Sequence, residues 1–129
     1  MNSSAQTNIF IVEDNFAYSY VLEARLKEYG NIKITTFTTG ESCIELLNNN
    51  PSLIILDYNL EGKMNGADTF KMIHSKKPKI PVIILSSQLD VQVVADLLKL
   101  GVFDYIQKRD KELTFSKVEQ SILKVLKIK

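Results

Sequence analysis

Leu53-Ile54-Ile55-Leu56-Asp57 is a run of four aliphatic residues that ends on a carboxylate. A run without polar alternation suits a strand covered on both faces, the ordinary state of a strand in a parallel sheet. The pattern recurs upstream, where Ile9-Phe10-Ile11-Val12 leads into Glu13-Asp14. Three acidic side chains thus stand at the downstream ends of two buried strands. In an open α/β sheet, ligands bind outside the carboxyl ends of strands, beside a topological switch point. Three carboxylates converging there repel one another unless a cation sits among them, and oxygen-only ligation of a hard cation is the chemistry of Mg²⁺. A magnesium site at Glu13, Asp14 and Asp57 is the first expectation.

Outward from these runs, apolar segments alternate with segments of helical period, the signature of βαβ units. Strands are predicted near Ile9–Val12, Ile32–Phe37, Leu53–Leu56, Val82–Leu85 and Tyr105–Gln107, with helices between them. The first helix presents Tyr18, Leu22, Leu26 and Tyr29 on one face and stops at Gly30; the last presents Phe115, Val118, Ile122 and Val125. Thr39 is placed to cap the second helix, Gly66 to open the third and Gly101 to end the fourth, while Pro78 and Pro81 bracket a turn. The fourth helix carries two apolar stripes, Val91, Val94, Ala95 and Leu98 beside Val93, Leu97 and Leu100. Either that helix is buried all round, or it exposes an apolar face that docks a partner or a second copy of the chain.

The 129 residues fit one domain, read as residues 8–129 after a disordered polar segment at 1–7. A hydrophobic content of 45% and a formal charge of +1 give no reason to expect nucleic acid or a membrane as partner. The lone Cys43 cannot form an internal disulfide, and no membrane-length apolar run occurs, so a reducing cytoplasm is the expected setting. Cys43 reads as a small buried helix residue. His74, in the lysine-rich stretch Met72-Ile73-His74-Ser75-Lys76-Lys77, reads as a group that suits a helix C-terminus rather than a phosphate carrier.

Taken in order, Ile11-Val12-Glu13-Asp14-Asn15, Leu53-Ile54-Ile55-Leu56-Asp57-Tyr58-Asn59-Leu60, Pro81-Val82-Ile83-Ile84-Leu85-Ser86-Ser87 and Asp104-Tyr105-Ile106-Gln107-Lys108 resemble the receiver domain of two-component response regulators, from about residue 8 to 126. The resemblance implies a flavodoxin-like doubly wound parallel sheet of order 2-1-3-4-5 with helices on both faces. It implies that Asp57 accepts a phosphoryl group from a phosphohistidine of a sensor histidine kinase or phosphotransfer protein. It assigns Mg²⁺ to Asp14, Asp57, the Asn59 backbone carbonyl and, through water, Glu13. Lys108 becomes the mobile cation that pairs with Asp57 and then with the phosphoryl group, Ser86 the hydroxyl donor, and Tyr105 the rotamer switch coupled to Ser86. The chain is then a signalling domain that catalyses its own phosphorylation and dephosphorylation. Its switching face is the fourth helix, fifth strand and fifth helix. Partners are a downstream protein or a fused output domain, with a homodimer through the fourth helix and fifth strand as a further expectation.

Three positions depart from the family pattern. Arg109 follows Lys108 where the family usually has a proline in a cis peptide; a cis bond before a non-proline residue costs roughly 2.5–4 kcal/mol, so a trans bond and a shifted loop are expected. The segment Leu60–Gly66 is longer than the commonest form of its loop, and Ser86 stands where threonine is commoner. Arg109 is the feature that favours the alternative, a pseudo-receiver adaptor whose docking does not depend on phosphate. An FMN-binding flavodoxin shares the fold class, but Glu13-Asp14 stand where it needs a hydroxyl-rich phosphate loop, and their charge repels a flavin phosphate.

Overall fold

The unbroken apolar runs form strands buried on both faces, and the segments between them form helices that cover those faces. In a computed structural model that describes residues 6–88 and 90–126, the order is β1 (Thr7–Val12), α1 (Phe16–Lys27), β2 (Ile32–Phe37), α2 (Gly40–Glu45), a 3-10 turn (Leu47–Asn49), β3 (Leu53–Asp57), α3 (Gly66–Lys76), β4 (Val82–Ser86), α4 (Val91–Leu100), β5 (Asp104–Gln107) and α5 (Lys111–Leu126). The strands pair in parallel and the sheet runs β2-β1-β3-β4-β5, as expected. Sequence order turns back at β1, so the crevice between β1 and β3 is the switch point where such sheets bind ligands.

Side chains alternate across each strand, and this alternation sorts the core into two layers. Ile9, Ile11, Leu53, Ile55, Ile83 and Leu85 pack with Leu22 and Leu26 of α1 and Phe115, Val118 and Ile122 of α5. Phe10, Val12, Ile54, Leu56, Val82 and Ile84 pack on the other face with Cys43, Phe70, Ile73 and Leu97 from α2, α3 and α4. Burial pushes the Cys43 thiol up to about 12, which leaves it an inert core group. His74 stacks on Phe70 at 5.3 Å, away from the strand ends that carry the acids.

Helix caps follow the sequence signals at several ends. The Thr39 side chain accepts the Ser42 N–H, Asn65 and Asp68 form a capping box at the start of α3, and Gly101 closes α4 at φ 118°. Other expectations need correction. Residues 1–5 of the segment read as disordered lie outside the described residues, and Thr7 already belongs to β1, its N–H donating to the Asn31 carbonyl at 3.0 Å. α1 is capped at Glu28, short of Gly30, which turns the chain at φ 123°. Tyr29 therefore falls beyond the helical stripe and is exposed; its hydroxyl donates to Glu119 at 2.7 Å. α4 is not buried all round: Leu97 and Val93 face the sheet, while Val91, Leu98 and Leu100 are exposed. No helix among the described residues is long and apolar enough to cross a membrane.

Candidate functional site

Backbone hydrogen bonds continue past the strand ends and hold the candidate residues in line. Glu13 N–H donates to Phe37 at 2.9 Å, Tyr58 N–H to Leu85 at 2.7 Å and Lys108 N–H to Ser86 at 2.7 Å. Val12 pairs with Leu56, so the residue after β1 lies beside the last residue of β3. Asp57 is level with Leu85, and Ser86 with Gln107. Asp57 and Ser86 thus close their strands rather than follow them, one residue beyond the predicted ends.

This register gathers the three acids. Carboxylate oxygens of Glu13, Asp14 and Asp57 lie within 4.8 Å of one another, Glu13 and Asp57 buried and Asp14 half-buried. Lys108 reaches in from the end of β5, its Nζ 2.9 Å from Glu13 Oε1 and 3.3 Å from Asp57 Oδ2. The second oxygen of each of these two carboxylates accepts a backbone donor, Asn15 N–H to Glu13 Oε2 at 3.1 Å and Asn59 N–H to Asp57 Oδ1 at 3.2 Å. Burial raises the Glu13 pKa to about 7, the Asp57 charge adds to the rise, and the bond from Lys108 opposes it. For Lys108, burial works against the charge, but the hydrogen bond to Glu13 and the charges of both carboxylates outweigh it and raise the pKa. An all-oxygen, net-anionic cluster open on the Asp14 side fits a hard divalent cation.

Ser86 is fully buried and its Oγ accepts the Gln88 N–H at 3.1 Å. It lines a cavity of about 90 Å³ with Tyr58, Gln88, Asp90, Val93 and Tyr105. Tyr105 is half-buried, its ring 6.5 Å from that of Tyr58. Asn59 joins the acids through its backbone N–H, and its side chain donates to Ser87 at 3.4 Å. The peptide before Arg109 is trans, as expected. Its N–H, a donor that proline lacks, bonds Thr114 Oγ1 at 2.7 Å and anchors the turn into α5. The long loop after Asp57 is also tied down: Lys63 N–H donates to Glu41 Oε2 at 2.9 Å, and Gly62 sits against that carboxylate at φ 96°.

Three contributors were not legible as site residues. Tyr18 reads as a core residue of α1, yet its ring lies 4.5 Å from the Lys108 ammonium. Asn15 caps α1 by accepting the Tyr18 N–H at 3.0 Å while donating its own N–H to Glu13; an Asn just before a helical stripe is a signal that could have found it. Thr114 has no sequence signal at all, since its role depends on Arg109.

A family model for the response regulator receiver domain matches residues 9–119. The chain is 31% identical over 101 residues to the DNA-binding transcriptional regulator NtrC of Escherichia coli K12, covering 78% of this chain and 21% of NtrC. It is 29% identical over 124 residues to a protein-glutamate methylesterase/protein-glutamine glutaminase of Clostridium acetobutylicum, covering 93% of this chain and 36% of that protein. The chain therefore spans well under half of either relative. The phosphorylated cyanobacterial phytochrome response regulator RcpA has the same fold at a TM-score of 0.84 and 28% identity, covering 95% of both chains. Fold, strand-end acids and family match agree, and the chain belongs to the response regulator receiver domain family.

Proposed function

We propose that Asp57 accepts a phosphoryl group from a phosphohistidine of a sensor histidine kinase or phosphotransfer protein, and that the modification switches a protein-binding face built from α4, β5 and α5. The observation that carries this reading is the Lys108 ammonium held between Glu13 and Asp57, with Asp14 completing the cluster. Asp57 is the nucleophile: one carboxylate oxygen forms a bond to phosphorus, the phosphorus–nitrogen bond breaks, and its electron pair returns to the imidazole. Asp14, Asp57, the Asn59 carbonyl and, through water, Glu13 would hold Mg²⁺, which would supply positive charge to screen the anionic donor from the anionic nucleophile.

Lys108 restrains Asp57 at rest and then pairs with the new phosphoryl oxygens. A Ser86 hydroxyl that accepts from Gln88 keeps its own proton to donate to the phosphoryl group. Movement of Ser86 reaches Tyr105 across the cavity they share, and Tyr105 is the switch that reads it out. Val91 and Leu98 of α4, exposed at 75% and 45%, supply apolar surface for a downstream protein, a fused output domain or a second copy of the chain. Water attacking the acyl phosphate ends the signal, so the domain catalyses both its phosphorylation and its dephosphorylation, in a cytoplasmic setting without direct nucleic-acid or membrane contact.

Intact-protein mass after incubation with acetyl phosphate and Mg²⁺ tests the reading, run beside Asp57→Asn and an EDTA control. The expected adduct needs the metal and is absent from Asp57→Asn. An adduct that persists in Asp57→Asn moves the acceptor elsewhere, and no adduct with acetyl phosphate or a phosphorylated kinase leaves the phosphate-independent adaptor.

A further inference from the structure

Lys108 has a third neighbour besides the two carboxylates. Its Nζ lies 4.5 Å from the centroid of the Tyr18 ring, within the range where an ammonium is drawn to an aromatic face. Tyr18 is 8% exposed, and the Lys108 side chain 17%, so the contact is largely shielded from water. The ring is fixed from two directions. Asn15 accepts the Tyr18 N–H at 3.0 Å while its own N–H binds Glu13, so one helix cap sets both the acid and the ring. Phe115 of α5 packs against the ring at 4.9 Å. Burial, followed by the charges of Glu13 and Asp57, raises the pKa of the Tyr18 hydroxyl, so the ring stays a neutral phenol.

We propose that Tyr18 is a positioning residue for Lys108, its ring face holding the ammonium between Glu13 and Asp57 so that the charge is in place when a phosphoryl group reaches Asp57. A lysine stem has four rotatable bonds and a compact, strongly hydrated head, so without a third support it samples solvent. A leucine at position 18 fills space but offers no electron-rich face. Charge attraction to the ring and simple packing therefore separate by chemistry. The inference rests on the receiver reading above.

The test combines Tyr18→Phe and Tyr18→Leu with fluorinated phenylalanines at position 18, which keep the ring close to its size while draining its face of electron density. Two quantities are read: the rate of phosphoryl-adduct formation from acetyl phosphate with Mg²⁺, and the NMR shifts of the Lys108 ε protons in metal-free protein. The expected result is a rate within about twofold of wild type for Phe, about tenfold slower for Leu, and a graded fall with fluorination. The ε protons, shifted upfield by the ring in wild type and Phe, move downfield in Leu. A flat rate across the fluorinated series, or Leu as fast as wild type, overturns the proposal. If wild type takes up no phosphoryl group, the receiver reading fails, and the ε-proton shift alone decides: no change in Leu overturns the positioning role.

Discussion

Replacing Glu13 with glutamine in metal-free protein removes one titrating group from the buried cluster and exposes how burial and charge compete there. The folded Glu13 pKa stands at about 7 against an ordinary value of 4.5, because burial and the neighbouring Asp57 charge outweigh the bond from Lys108. A carboxyl with a raised folded pKa holds a proton that the unfolded chain has lost, so stability falls as pH rises from 4.5 to about 7 and is level above that. At about 1.4 kcal/mol for each tenfold change in proton affinity, the fall is about 3 kcal/mol. The Glu13→Gln variant lacks this dependence and keeps a polar group of similar size. Urea unfolding of both proteins from pH 4 to 8.5 reads the difference, which belongs to Glu13 together with the Asp57 and Lys108 charges that interact with it. The wild type is expected to lose about 3 kcal/mol relative to Glu13→Gln between pH 4 and 8, with most of the loss below pH 7. Parallel curves refute this account of the cluster. A difference that moves the other way means that the Lys108 pair dominates and the folded Glu13 pKa lies below its ordinary value.

Thr114→Val keeps the shape of the side chain but strips the acceptor from Arg109 N–H, and is expected to cost about 1–3 kcal/mol in urea unfolding, with Thr114→Ser close to wild type. In Gly66→Ala the added Cβ meets Tyr58 Cα at 2.5 Å and the Asp57 carbonyl at 2.7 Å. Both obstacles are backbone, so a loss of about 2 kcal/mol or more is expected in thermal unfolding, together with displacement of the loop that carries Asn59. Leu98→Glu on the exposed face of α4 is expected to leave stability within about 0.5 kcal/mol, while reducing any self-association seen by light scattering of the phosphorylated protein.

The sheet was readable because its central strands are short apolar runs and its edge strands are β-branched or alternating segments set at regular intervals, so Ile32–Phe37 is a strand to the residue. Convergence of Glu13, Asp14 and Asp57 was readable for the same reason, since each sits at a fixed offset from such a run. What escaped depends on contacts distant in sequence. Tyr29 has the right spacing for the α1 stripe, but the helix is already capped at Glu28, and its hydroxyl finds Glu119 instead. Both stripes of α4 are apolar, and periodicity cannot say that only Val93 and Leu97 meet the sheet. Tyr18 satisfies two demands with one ring: it packs in the core against Phe115, and it meets a cation that arrives much later in the chain. The replacement of proline by Arg109 reads as a defect until its N–H is seen on Thr114.

The order in which the chain is synthesised gives the Lys108 ion pairs a further meaning. All three acids precede Tyr58, and β1, β2 and β3 can pair as soon as they have emerged, whereas the neutralising cation follows the edge strand β5. A nascent chain that has made only the first half therefore carries an uncompensated acidic crevice. Docking of β5 on β4 completes the sheet and brings the Lys108 ammonium to Glu13 and Asp57. In the finished protein Lys108 joins the two events in one residue, its ammonium on Glu13 and Asp57 and its N–H on the Ser86 carbonyl at 2.7 Å, directly after β5.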